Sequence, residues 1–297
     1  MSGAAGNIYD LGYQGYDGPR LGRAAVVRGL LRRSLAEVYG IGRGGRAKIA
    51  PFVLLGLALL PAVLAVGISA LAAQMGEDDI GDVSPISHAS YQGLTSALVM
   101  LFCAAQAPEL FGRDQRYGVL PLYFSRVLTR ADYALARMGG LFLGVLVIVL
   151  LPQLVLTVGA ALGAADPIAG LREDADAIPR YLVVGVLSSA LLAGIASVIA
   201  AWTPRRAYAT AMIIAVFIVP PIIVAVTSEL AAGDLARLLV LASPGDVIDG
   251  LNAAIFGTIP DSPVAGDLPD LVFVVAAIVG SVGAAVIVLR RYLTVQT

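Results

Sequence analysis

Very few side chains in this sequence have the type and spacing to do covalent or acid–base chemistry. The chain holds one histidine, His88, and one cysteine, Cys103. A lone cysteine in an apolar run forms neither an intramolecular disulfide nor a cysteine metal site, and reads as a small buried residue. His88 lies in a polar connection, outside any His-Glu-x-x-His pattern of a metal hydrolase. Ser188 and Ser189 sit in an apolar run with no His, Lys or Asp to serve as base, so helix packing is their expected role. The stretch 40–48 is glycine-rich, but Arg46 follows Gly45 where a phosphate loop needs lysine, and no strand precedes it. The acidic groups Glu77, Asp78, Asp79 and Asp82, and Asp166, Glu173, Asp174 and Asp176, do not have the ligand spacing of a calcium loop. No catalytic, cofactor or metal site is expected, and the chain is not expected to be an enzyme.

Polar chemistry concentrates instead in 109–132. There Glu109, Arg113, Asp114, Arg116, Arg126 and Arg130 interleave with Tyr117, Leu120, Leu122, Tyr123 and Phe124, and Arg137 follows. A solvated loop has no need of so many apolar and aromatic residues. Two readings fit: a docking surface for another protein, apolar and rimmed by charge, or a helix lying on lipid headgroups.

The elements that must carry this stretch are long and apolar. The chain is 58% hydrophobic and 14% charged, where soluble domains carry about a quarter charged residues. Six runs approach the roughly 20 residues that a helix needs to cross hydrocarbon: 51–73, 93–110, 139–162, 181–202, 207–226 and 271–289. Gln106 and Pro108 interrupt the end of the second. Runs of this kind cannot be sheet, and the alternation of barrel strands is absent. An all-α membrane protein is therefore expected. Residues 1–50 form a tail and a pre-span helix, and 51–297 form a six-span domain.

Charge orients it. Of 20 Lys and Arg, 17 fall in 1–50, 111–138, 203–206 and 290–297, while Arg172, Arg180 and Arg237 fall on the other side. Acidic residues run oppositely, 15 against 6. The positive-inside rule places both termini in the cytoplasm, in a cytoplasmic (inner) membrane. The first apolar run starts too late and is too long for a cleavable signal. The interiors of the six runs hold no Asp, Glu, Lys, Arg or His; the nearest such group is Glu109, at the end of the second. Ion- and proton-coupled carriers place such groups within the membrane, so no built-in source of energy is expected.

Several flanking features have two readings each. Residues 20–40 alternate Arg28, Arg32 and Arg33 with Leu30, Leu31, Leu35 and Val38, as a basic amphipathic helix on the leaflet surface or a solvated helix would. The pairs Gly140/Gly144 and Gly159/Gly163, with Gly280, Ser281, Gly283 and Ala284, allow close helix packing, either within one bundle or between subunits. Pro61, Pro152, Pro220 and Pro221 favour kinks. The connection 229–269 holds two short apolar segments around Ser243-Pro244-Gly245, as re-entrant helices or a plain outer loop.

At these residues the chain resembles the permease subunits of ATP-binding-cassette transporters of the type 2 exporter class. Glu109, Arg113-Asp114, Arg116, Gly118-Val119-Leu120, Ser125-Arg126-Val127 and Arg130 stand in the order of that family's connection between spans two and three. The chain departs from the family at Val127, where a proline is usual. Pro244-Gly245-Asp246 is similar to the family's element between spans five and six, and the tail with Tyr9, Tyr13 and Tyr16 looks like a subset of bacterial members. The resemblance covers nearly the whole chain. It implies six spans, an amphipathic elbow helix before the first, a cytoplasmic coupling helix between spans two and three, and outer re-entrant helices between spans five and six. It also implies a second permease subunit and two separate ATPase subunits that hold the ATP and Mg. By resemblance, ATPase coupling maps to Arg113, Arg116, Tyr117, Leu120, Tyr123, Phe124 and Arg126. Glu109 maps to an ion pair with an elbow or loop arginine, and Pro244 and Asp246 to an outer gate. The pathway maps to spans one, two and five, where Gln106, Ser69, Thr95, Ser96 and Thr210 are the scarce polar groups, and a lipid or drug-like cargo suits it. The competing readings are a membrane scaffold or regulator without a pathway, and a secondary carrier, which would need intramembrane charge and inverted repeats.

Overall fold

The structure is a computed structural model that describes residues 18, 22–74, 86–124, 128–164, 166–230 and 234–294. The described residues form helices and no strand. In chain order these are α1 Arg23–Val38, α2 Arg46–Gln74, α3 His88–Arg116, α4 Leu120–Phe124, α5 Arg130–Gly163, α6 Pro167–Glu173, α7 Ala177–Trp202, α8 Arg206–Leu230, α9 Asp234–Ala242, α10 Pro244–Phe256, α11 Pro263–Gly266 and α12 Asp270–Thr294. Six of them, α2, α3, α5, α7, α8 and α12, are long and apolar enough to cross a membrane.

Their ends follow capping chemistry rather than hydropathy. Ser87 and Ser90 form a reciprocal capping box, so α3 begins at His88, five residues before the apolar run at 93. Thr129 and Asp132 do the same for α5, which starts at Arg130 and adds more than two turns below Gly139. Pro108 does not end α3, contrary to the sequence expectation that it interrupts the span. A proline leaves the carbonyl four residues earlier without its helical donor. Here that carbonyl, Ala104 O, accepts from the Thr210 hydroxyl of α8 at 3.0 Å, which repairs the loss from outside the helix.

The core is built from α3, α5 and α7. About half of the apolar window is buried in each of these (56%, 50% and 56%), against 22% in each of α2, α8 and α12. The latter three therefore supply the outward faces. The first span α2 packs on α5 and α3, and the fifth span α8 packs on α3, so span two is flanked by spans one and five.

The glycines of α5 settle one ambiguity. The α1 residues Leu30, Ser34 and Val38 form its buried stripe, and it lies against Gly140 and Gly144. A Cβ at Gly140 would run into Ser34, and one at Gly144 would come within 2.6 Å of Val38 Cγ1. Gly159 likewise receives Val66 of α2. These close approaches are inside the chain. Tyr39, at the end of α1, donates its hydroxyl to Gly144 O at 2.8 Å and packs on Phe52 and Phe102. Gly40 then turns the chain into α2 with φ of 67°, and a side chain there would meet Ala47 O at 2.5 Å. So α1 is docked on the bundle, while Arg28, Arg32 and Arg33 face outward.

Both ends of the described chain gather at one end of the bundle. Arg23 binds Asp132 of α5 through Nε and Nη2, both at 2.8 Å, and Arg130 Nη1 donates to Leu293 O of α12 at 3.1 Å. This is the basic end. At the opposite, acidic end His88 meets Gln153 Oε1 at 2.6 Å and Asp174 Oδ2 at 3.0 Å and stacks on Tyr181. The lone histidine is thus the first residue of α3, clamped between α5 and α7, rather than part of a free connection. Also at the acidic end, α9 and α10 bend by 94° at Ser243. The α10 helix packs on α12, α7, α8 and α3, and Phe273 fills the space above Gly250.

Candidate docking site at the basic end

The sequence expectation puts Arg113, Arg116, Tyr117, Leu120, Tyr123 and Phe124 in one coupling surface. The structure divides them. Arg113, Arg116 and Tyr117 are exposed, with Tyr117 at 68%, and Leu122 beside them is 67% exposed. Leu120 is buried at 7% and anchors α4 to the core. Tyr123 and Phe124 are half-buried against Tyr133, with ring centroids 5.3 and 5.9 Å away. Arg130 lies over the Phe124 ring at 5.7 Å. Arg126 falls outside the described residues.

Beneath this tip lies a charge cluster absent from the sequence expectation. Among the described residues Arg137 is the largest fully buried side chain, at 1% exposure. Its Nη2 donates to Asp114 Oδ2 of α3, and its Nη1 donates to Glu37 Oε2 of α1 at 2.6 Å. Tyr133 donates to the same Asp114 oxygen at 2.7 Å. The Arg137 guanidinium also stands 5.5 Å from the Tyr133 ring centroid. Gln115, the next residue, donates to Ala201 O of α7 at 3.0 Å and to the Tyr292 hydroxyl of α12 at 3.1 Å. One short stretch at the end of α3 therefore holds α1, α5, α7 and α12 together.

Buried charges are tolerable only when paired and hydrogen-bonded. Burial works to raise the Glu37 carboxyl, but Arg137 and Arg33 outweigh it and hold it below its ordinary range. Arg33 Nε reaches Glu37 Oε1 at 2.8 Å. For Tyr123, burial and the nearby Asp114 carboxylate push the hydroxyl up, so it stays a neutral donor and acceptor.

Glu109 makes a second clamp. Arg43, in the turn before α2, reaches Glu109 Oε2 at 3.2 Å, and Arg206, at the start of α8, reaches Oε1 at 2.6 Å. Spans one and five are thus tied to the basic end of span two through one carboxylate. Between α1 and the tip lies a cavity of about 690 Å³, lined by Val26, Leu30 and Arg33 on one side and Arg113, Tyr117 and Leu122 on the other.

No family model and no curated protein matches this chain.

What the geometry offers at the basic end is a projecting, charged and aromatic tip on a rigid base, beside a groove with an apolar floor. Such a surface fits a protein partner better than a small molecule, because its apolar positions project outward. Arg137, Asp114, Glu37 and Tyr133 were reachable from sequence through one signal. The Thr129-x-x-Asp132 box starts α5 early, and Tyr133, Arg137, Gly140 and Gly144 then share the face that receives α1.

The other expected residues lie elsewhere. Pro244 is buried at the first turn of α10, and Asp246 lines a second cavity, at the acidic end. The hydroxyls expected to line a pathway are spent on helix carbonyls: Ser69 on Ala65 O, Thr95 on Tyr91 O, Ser96 on Gly93 O and Thr210 on Ala104 O. Gln106 is buried at 5%. Ser96 lines that second cavity.

Proposed function

We propose that this chain is the membrane-spanning permease subunit of a type 2 ATP-binding-cassette exporter, driven by two separate ATPase subunits and paired with a second permease. In this reading it is a multi-pass protein of the cytoplasmic membrane with both termini in the cytoplasm. Here α1 is the elbow helix, α4 the coupling helix, and α9–α10 the re-entrant outer segment. ATP and Mg belong to the partner subunits, and this chain performs no catalysis of its own.

The observation that carries the reading is the tip with its clamps. Arg113, Arg116, Tyr117 and Leu122 project where a partner can grip them. The residues directly beneath are bolted to α1 and α5 by Asp114–Arg137–Glu37, and to α2 and α8 by Arg43–Glu109–Arg206. Force applied to the tip then moves several helices as one body instead of being absorbed in a loose loop.

A pathway is supported by the placement of α3. It is flanked by α2 and α8, and its Leu94 and Leu101 remain 55% and 44% exposed between them. A second copy facing that strip would enclose a conduit with aliphatic walls. Such walls suit an apolar or amphipathic cargo and fail a bare ion, which needs a polar shell.

The test is the double variant Tyr117→Asp with Leu122→Asp in the full-length protein. Both side chains are about two-thirds exposed, so insertion and thermal stability should match wild type. Co-purification of a nucleotide-hydrolysing subunit should be lost. Retention of that subunit with normal ATP turnover would remove the coupling role. Tyr123 is unsuitable for this purpose, because its ring supports Tyr133 and Arg137.

A further inference from the structure

The acidic end contains buried acceptors that no donor among the described residues satisfies. Between α3, α8 and α10 lies a cavity of about 450 Å³, within the range of small-molecule sites. One wall is apolar, formed by Met100, Phe217, Ile218, Pro221, Ile222 and Ile248. The other carries Asp246, Asp249, Asn252 and Asp261, and among the described residues no basic side chain lines the space.

Two atoms in this wall stand out. Asn252 is 8% exposed, and its Nδ2 is committed to Ala89 O at 2.9 Å, which fixes which side of the amide is oxygen. Its Oδ1 is fully buried and has no donor among the described residues. Asp246 Oδ2 is also buried without a donor among the described residues. Buried acceptors are normally satisfied, and a carboxylate without a partner is costly. Asp249 is in part satisfied, accepting from Asp261 N at 2.8 Å. None of the three carboxylates has an ion-pair partner among the described residues, and at this end Arg237 is spent on Asp234 at 3.5 Å.

We propose that this cavity binds a protonated amine carried on an apolar body, with Asp246, Asp249 and the Asn252 Oδ1 receiving the ammonium. The acceptors call for N–H donors, and an ammonium supplies three of them together with one positive charge for the two carboxylates to share. The aliphatic and aromatic wall on α3 and α8 takes the body. A metal ion fits less well, because no group of three His, Cys, Asp or Glu side chains among the described residues is spaced to hold one. The excess of acidic over basic residues at this end raises the local concentration of cations. The proposal rests on the permease reading only in calling the ligand cargo, and it narrows amphipathic cargo to cationic cargo.

The test uses the full chain in nanodiscs of zwitterionic phosphatidylcholine, with monodansylcadaverine as probe: a primary ammonium on an apolar fluorophore. Its N-acetylated derivative is the neutral control, and empty nanodiscs set the baseline for lipid partition. The cation should bind saturably and about 10-fold more tightly than the acetylated form. Asp246→Asn and Asp249→Asn should each weaken the cation by about 5-fold or more and leave the neutral form unchanged. Equal binding of the two probes to wild type would overturn the site, whether or not the variants fold. Unchanged cation binding in both variants would overturn it too. No ATPase is present, so the outcomes separate cleanly. Absent amine discrimination beside an intact, chain-dependent ATPase sinks the site alone, and discrimination without any ATPase partner sinks the permease reading alone.

Discussion

Replacing Arg137 by methionine removes a guanidinium while keeping an unbranched side chain of helical propensity. Arg137 is 1% exposed and is shared by Asp114 and Glu37, whose side chains are 11% and 13% exposed. Breaking a buried pair by deleting one partner costs about 3–5 kcal/mol, because the other charge is left behind. The two carboxylates differ in what remains to them. Glu37 keeps Arg33, and so loses less. Among the described residues Asp114 keeps only the Tyr133 hydroxyl as side-chain donor, and it bears most of the loss. We therefore expect about 3 kcal/mol of destabilisation from Arg137→Met. Adding Asp114→Asn should recover about 2 kcal/mol, since a neutral amide accepts from Tyr133 without an unpaired charge. The assay is reversible unfolding in mixed micelles or bicelles, read as a double-mutant cycle. A single variant within about 0.5 kcal/mol of wild type, or a double variant no better than the single, would refute the buried clamp.

Further outcomes follow from other parts of the molecule. Gly144→Leu should displace α1, since even a Cβ there lies 2.6 Å from Val38 Cγ1; the cost should be about 1–3 kcal/mol, with increased labelling of a cysteine placed at Leu30. Topology can be read in a Cys103→Ser background, Cys103 being fully buried: Arg32→Cys should react with an impermeant maleimide only from the cytoplasmic side and Ser262→Cys only from outside. Asp249 gives a pH signature. Burial first, then the neighbouring Asp261 and Asp246 carboxylates, push its carboxyl up to about 6, and the groups facing it from α3 and α8 carry no charge. Monodansylcadaverine binding should therefore weaken as pH falls from 7.5 through 6, while the amine itself stays protonated. Because the folded pKa lies above the unfolded one, ligand-free wild type should gain stability relative to Asp249→Asn over the same fall in pH, opposite in sense to binding.

The sequence revealed the broad architecture because hydropathy and charge act over whole segments. All six apolar runs lie within long helices. The ends were less legible, since apolar runs mark what hydrocarbon accepts whereas the Ser87 and Thr129 capping boxes mark where hydrogen bonding starts. Arg137 illustrates the consequence. It lies two residues outside an apolar run and counts as a loop charge until α5 is extended to Arg130 and α1 is laid over Gly140. The tip residues read alike in sequence because Tyr117 and Tyr123 are the same residue type. Only packing on Tyr133 separates the half-buried ring from the exposed one. The acidic-end cavity was illegible for a similar reason. Asp246, Asp249 and Asp261 are ordinary outer-loop acids until α10 folds back against α3 and α8.

The most direct measurement is ATP turnover by the complex isolated through a tag on this chain, comparing wild type with the Tyr117→Asp, Leu122→Asp double variant in proteoliposomes. A nucleotide-hydrolysing subunit that accompanies wild type, with turnover that collapses in a variant of unchanged fold, is the expected result. Cargo movement by this polypeptide alone, driven by a proton or sodium gradient and indifferent to the tip substitutions, would contradict it.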